Sequence, residues 1–184
     1  MPRRPDPEVE SRILSAAKKL WAKGGEQSLT MRAVARAAGT NTPAVYRRFK
    51  DRRDLLRALM QRHQSDVSAL IARCNSLEEI CLAVFDFAVS HPREYELLAS
   101  RLVVTSRLPR TNLTYVMKKA ADWLGTSEEE SRLLVIALLS LIHGSAMLLI
   151  TGAVPEHAQV VRSSFAVAVN ELVSNHRSFG KHRS

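Results

Sequence analysis

Residues 133–154 run for 22 positions without an Asp, Glu, Lys or Arg, and a segment of that kind leaves a chain few ways to fold. It can cross a bilayer, which takes about 20 apolar residues as a helix. It can instead form a helix apolar on every side, shut away in a core or between subunits. Ser140, His143, Gly144, Ser145 and Gly152 interrupt the run, and no Lys/Arg cluster directly flanks it. Both features favour burial over a membrane span. The expectation is a helix with one side on its own core and the other on a second copy of the chain.

The rest of the chain reads as helix throughout. Val9, Ile13, Ala16, Ala17 and Leu20 fall at helical spacing, and Gly24-Gly25 closes the run. Thr30 can cap a second helix to about Ala38, and Gly39 can supply a turn with positive φ. Asn41 or Thr42 caps a third helix with Pro43 in its first turn, and Asp51 caps a fourth. Ser76 and Ser127, each followed three residues later by a glutamate, open further helices as capping boxes. Pro92, Asn112 and Pro155 mark the starts of three more, the last reaching about His176. The spacing thus predicts an all-α chain of nine helices and no sheet. Residues 1–7, with three prolines and two arginines, read as a mobile arm, and the tail from Arg177 as frayed.

Charge divides the chain in two. Residues 1–63 hold 15 Lys+Arg against 6 Asp+Glu, whereas residues 64–184 hold 12 of each, so the whole net charge of +9 sits in the first third. A basic head on a neutral body suggests a module that binds a polyanion, joined to one that does something else. The head has a pattern to match. Two short helices meet at Gly39, Val45 and Phe49 must point inward toward Leu20, Trp21, Val34 and Leu55, and Thr42, Tyr46, Arg47 and Lys50 face out. That is the layout of a helix-turn-helix whose second helix enters a DNA major groove. Tyr46 can donate to a phosphate, Arg47 can reach a phosphate or a guanine edge, and Thr42 and Ala44 can meet a thymine methyl. Thr30 and Arg32 can hold the neighbouring backbone.

These residues carry a resemblance. Ile13-Leu-Ser-Ala-Ala-Lys-Lys-Leu-Trp21, Gly25, Leu29-Thr30, Val34-Ala-Arg-Ala-Ala-Gly39, Val45-Tyr46 and Phe49-Lys50, in that order, resemble the TetR family of bacterial transcriptional regulators over about residues 9–57. The resemblance implies a three-helix head (residues 1–53) on a helical ligand-binding and dimerisation body (residues 54–184). It implies a homodimer on a near-palindromic operator in double-stranded DNA, and a repressor released by a small-molecule effector. By position it assigns DNA contacts to Thr30, Arg32, Thr42, Pro43, Ala44, Tyr46, Arg47, Lys50 and Arg52. Arg47 and Arg48 stand where many members carry aromatic residues or histidine, which raises the electrostatic share of binding.

The body is less legible. An effector pocket could draw on Phe85, Phe87, Tyr95, Leu98, Arg101, Leu102, Trp123, His143 and Met147; for the apolar ones plain core is the competing reading, and His143 reads most simply as a core histidine. Arg101, among leucines, needs an acidic partner, an anionic ligand or an exposed face. The last two helices are expected to pair with their copies through Leu138, Leu141, Ser145, Leu148, Val161, Phe165, Ala168 and Leu172. His143-Gly144 followed by Leu148-Leu149 resembles a motif of one subset of family bodies, without the tryptophan that often precedes it.

No HExxH, Gly-x-Ser-x-Gly or phosphate-cradling glycine loop occurs, the six histidines lack ligand spacing, and Glu128, Glu129 and Glu130 point different ways around a helix start. The expectation is therefore no enzyme, no metal and no cofactor. Cys74 and Cys81 could form a redox switch, but two inert thiols in a reducing cytoplasm are the simpler reading. The alternative function is a DNA-binding or architectural protein that acts through a protein partner, without small-molecule control.

Overall fold

The computed structural model describes residues 7–104, 111–154 and 157–178, without the side chains of 7, 100–104 and 111. Among them are nine α-helices, one 3-10 turn and no strand: α1 (Pro7–Ser28), α2 (Met31–Ala37), α3 (Thr42–Tyr46), α4 (Arg52–Ile71), α5 (Leu77–Ser90), α6 (Pro92–Val104), α7 (Thr111–Leu124), α8 (Glu128–Ile150) and α9 (Ala158–Ser174), then the turn His176–Ser178. Residues 1–6 of the expected arm, the end of the sixth helix beyond Val104, the restart at Pro155 and the expected tail from residue 179 onward lie outside the described residues, whereas Pro7 already opens α1 and Arg177 lies in the 3-10 turn. The described last helix opens at Ala158, with His157 as its cap residue.

Two compact units emerge. The first takes the described residues through Ser65 together with Arg93–Leu98, so α4 and α6 each give residues to both units. Its core joins Ile13, Ala17 and Trp21 of α1 to Leu29, Val34, Val45 and Phe49, and to Leu55, Leu59 and Leu97. Leu20 packs against this core half-buried. At Gly25 the helical path of α1 breaks (φ 58°, ψ −145°), and one further turn leads to Ser28.

In the second unit α8 is the central element, packed against α5, α7 and α9. Its buried face is Ser131, Leu134, Val135, Leu138, Ile142 and Ala146. Across from it lie Ile80 and Phe85 of α5 and Phe165 and Val169 of α9, with Phe85 stacked on Phe165 at 4.6 Å between ring centroids. Arg162 of α9 grips both carboxylate oxygens of Asp86 at 2.7 Å, a bidentate pair that raises the Arg162 pKa through that hydrogen bond first and the charge second. Ser127 and Glu130 close the expected capping box at the head of α8. Length and composition alone would let α8 cross a membrane. Here one side of it completes a helical core instead, as a buried apolar helix must.

Candidate nucleic-acid interface

Two caps and one glycine set the course of residues 30–50. Thr30 is extended, and its hydroxyl oxygen accepts from the Ala33 amide at 3.1 Å, starting α2. At Gly39 φ is +64°, a region that costs other L-residues about 1–2 kcal/mol. The turn lets the Thr40 amide reach back to the Ala35 carbonyl at 2.9 Å. Asn41, the first of the two expected cap candidates, accepts from the Ala44 amide at 2.9 Å and so starts α3. Helical bonding continues past Tyr46, since the amides of Arg47 and Phe49 donate to the carbonyls of Pro43 and Val45. Asp51 caps α4 through the Asp54 amide, while Asp54 accepts from the Lys50 amide.

Side chains sort by face as the spacing demands. Val45 and Phe49 enter the core, and Tyr46 stays 52% exposed. Pro43, Arg47 and Lys50 are exposed beside it, Thr42 is half-buried, and Thr30 and Arg32 are exposed at the start of α2. Arg36, one turn after Arg32 and also exposed, extends that basic face. The i,i+4 spacing to Arg32 was the signal that would have found it.

Two expected contacts are placed differently. Ala44 is 8% exposed and its amide is held by Asn41, so its methyl belongs to the packed side and is not open to a thymine methyl. Arg52, its side chain 41% exposed, is engaged with other residues of its own unit. Its Nε donates to the Leu29 carbonyl at 2.8 Å, and its terminal nitrogens to the Glu26 carbonyl at 2.6 Å and the Glu26 carboxylate at 3.0 Å. Arg48 turns back toward Glu10 of α1, at 3.8 Å.

The expected effector residues are divided between the two units. Tyr95 and Leu98 belong to the first unit and Phe87, Trp123, His143 and Met147 to the second. Tyr95 is buried, which pushes its hydroxyl up to about 12. Phe87 stacks on His91, and Trp123 is partly exposed under the Lys119 ammonium. Phe85 is core. His143 is exposed, not a core histidine, and Met147 is half-buried. The side chains of Arg101 and Leu102 lie outside the described residues. A cavity of about 350 Å³ lies elsewhere in the second unit, where the end of α7 meets the start of α8 and the 3-10 turn, lined by Thr126, Glu130, Ser131, His176 and Arg177 among others.

The expected interface residues also divide. Leu138 and Phe165 are 3% and 2% exposed, spent on the unit's own core. Leu141, Ser145, Val161, Ala168 and Leu172 are half-buried, and Leu148 is exposed. Three large apolar side chains that the sequence reading did not select, Leu133, Ile136 and Val167, stand out of the same two helices, as does Val160, which it placed on the pairing helix. An α8 apolar on every side has no amphipathic phase to tell the core face from the partner face.

Burial, with Glu78 and Cys74 adding to it, pushes the Cys81 thiol up to about 12, and the Cys74 thiol is raised by burial and Glu79. Thiolates are the reactive form, and both shifts disfavour them. Among the described residues no group of three His, Cys, Asp or Glu side chains could hold a metal ion.

Comparison with known proteins gives the geometry a context. The family described as bacterial regulatory proteins, tetR family, matches residues 13–59, and a tetracyclin repressor-like C-terminal domain matches residues 77–172. The HTH-type transcriptional repressor AcnR of Corynebacterium diphtheriae is 27% identical over 96 residues, which span 52% of this chain and 48% of that protein. A TetR from Acinetobacter baumannii AYE in complex with minocycline superposes with a TM-score of 0.67 at 19% identity, covering 92% of this chain and 96% of the other. A transcriptional regulator from Streptomyces coelicolor does so at 0.63 and 19% identity, over 89% and 97%. At such identities these structures speak for the fold alone.

Proposed function

The chain belongs to the TetR family of bacterial regulatory proteins, and from that premise we propose that it is a homodimeric repressor which reads a near-palindromic operator and releases it when a small molecule binds its body. The observation that carries this reading is the capped, glycine-turned pair α2–α3, which buries Val45 and Phe49 and presents Tyr46, Arg47 and Lys50 on the third of the chain whose balance accounts for the whole net charge. Thr30, Arg32, Arg36 and Lys50 hold phosphates, Tyr46 anchors α3 to the backbone, and Thr42, Pro43 and Arg47 meet base edges. The repressor relative from Corynebacterium diphtheriae supports the sign of regulation. The minocycline bound by the Acinetobacter baumannii protein supports an effector for a body of this fold. The protein works in the cytoplasm, where the DNA is, and catalyses no reaction.

Two heads on one duplex place their half-sites about 34–36 Å apart or a multiple of that. The leucines and valines exposed on α8 and α9 support this pairing, because large apolar side chains grouped on a surface mark a place where another chain binds. The test is a binding titration of the full chain on a duplex recovered from a random pool, repeated with a metabolite panel. The reading expects affinity to fall steeply between about 50 and 200 mM salt as phosphate-bound counterions are released, and at least one compound to lower it at fixed salt. A flat salt dependence overturns the DNA reading. Release by no compound, with DNA binding intact, favours control through a protein partner.

A further inference from the structure

Arg52 is where the family position and the geometry part company. The connection from α1 to α2 has weak support of its own. After the break at Gly25, the Leu29 amide reaches the Glu26 carbonyl only at 3.3 Å and the Thr30 amide reaches that of Ser28 at 3.2 Å. The Ser28 hydroxyl ties this stretch back to α1 alone, through the carbonyls of Leu20 and Gly25. Arg52, the first residue of α4, supplies a tie from another helix. All three guanidinium nitrogens are engaged, on the Leu29 carbonyl, the Glu26 carbonyl and the Glu26 carboxylate. Leu29 is fully buried, and the residue after it is the Thr30 cap of α2.

We propose that Arg52 is a positioning residue: it does not touch DNA but clasps residues 26–29 to the start of α4, and so fixes the entry of α2 and its Thr30–Arg32 grip relative to α3. The proposal rests on the reading of α2 and α3 as the DNA-reading pair. A planar fork meets two carbonyls and a carboxylate at once, whereas a lysine ammonium is a point charge that meets a phosphate well but cannot restore this set. Clasp and phosphate contact therefore respond differently to the same substitutions.

The experiment compares wild type, Arg52→Ala and Arg52→Lys on the duplex selected by the wild type. It measures affinity across salt, base preference, and amide hydrogen exchange at residues 26–33 in the DNA-free protein. A clasp predicts that both variants lose about 10- to 100-fold in affinity with an unchanged salt slope. It also predicts faster exchange at 26–33 and a narrowed preference between correct and altered half-sites. Mere loss of folded protein would weaken all sequences alike and leave that preference intact. The proposal is overturned if Arg52→Ala lowers the salt slope by about 0.9, the signature of one lost phosphate contact, while Arg52→Lys restores wild-type binding and exchange is unaltered. If the wild type binds no duplex, the DNA reading fails by itself, and the exchange comparison still decides the clasp.

Discussion

Phe165 lies flat on Phe85, with 16° between the rings and 2% of its surface exposed. Removing such a side chain forfeits its burial and leaves a cavity, so Phe165→Ala is expected to cost about 3–5 kcal/mol, read as a lower denaturant midpoint at fixed protein concentration. An interface role predicts instead a dissociated but equally stable subunit. Cys81 gives a pH signature. The folded chain keeps its thiol protonated up to about 12, against 9.0 for the ordinary group. Between those values the unfolded chain binds fewer protons, so stability falls as pH rises through that window, by about 1.4 kcal/mol per unit at most. Below pH 9 the group contributes no slope. Alkaline melts of wild type and Cys81→Ala check this, the variant declining more gently. At this scale the sequence was readable wherever local spacing decided a side chain's direction, as for Val45, Tyr46 and Phe49. For Arg52 it offered a DNA contact by resemblance and no internal partner, because Glu26 and Leu29 are distant in sequence and meet it mostly through backbone atoms.

Short helices depend on their ends. The five residues of α3 are organised by the Asn41 cap and the turn at Gly39. Asn41→Ala is expected to destabilise by about 1 kcal/mol, and Gly39→Ala by about 1–2 kcal/mol from its positive φ. Thermal unfolding, and amide exchange localised to residues 40–47, measure both. The caps at Thr30, Ser76 and Ser127 and the glycine turn were all legible beforehand, because capping is chemistry between residues three or four apart. The register of α8 and α9 was not. Leu138 looked the same as Ile136 in a run without charge, and only packing against α5 and α9 separates them.

For the molecule as a whole, the charge split and the uncovered faces of α8 and α9 fit one arrangement, a basic reading head carried twice on a paired neutral body. Val167, 63% exposed, and Ile136, 42% exposed, bury little within one chain. Val167→Glu or Ile136→Glu should therefore leave the helical content unchanged and shift sedimentation from dimer to monomer, with operator affinity lost in proportion. The architecture could be foreseen from the sequence. An effector pocket is harder to read, because it is assembled from several helices at once and no local spacing marks its lining.

The central claim is that two copies of α3 read one operator, and in vitro selection from a random duplex library by the full-length protein tests it most directly. The account predicts enrichment of an inverted repeat whose half-site centres lie about one or more helical turns, roughly 34–36 Å, apart, with Thr42 and Arg47 substitutions changing the half-site sequence. Enrichment of a lone half-site, or of no sequence at all, would contradict it.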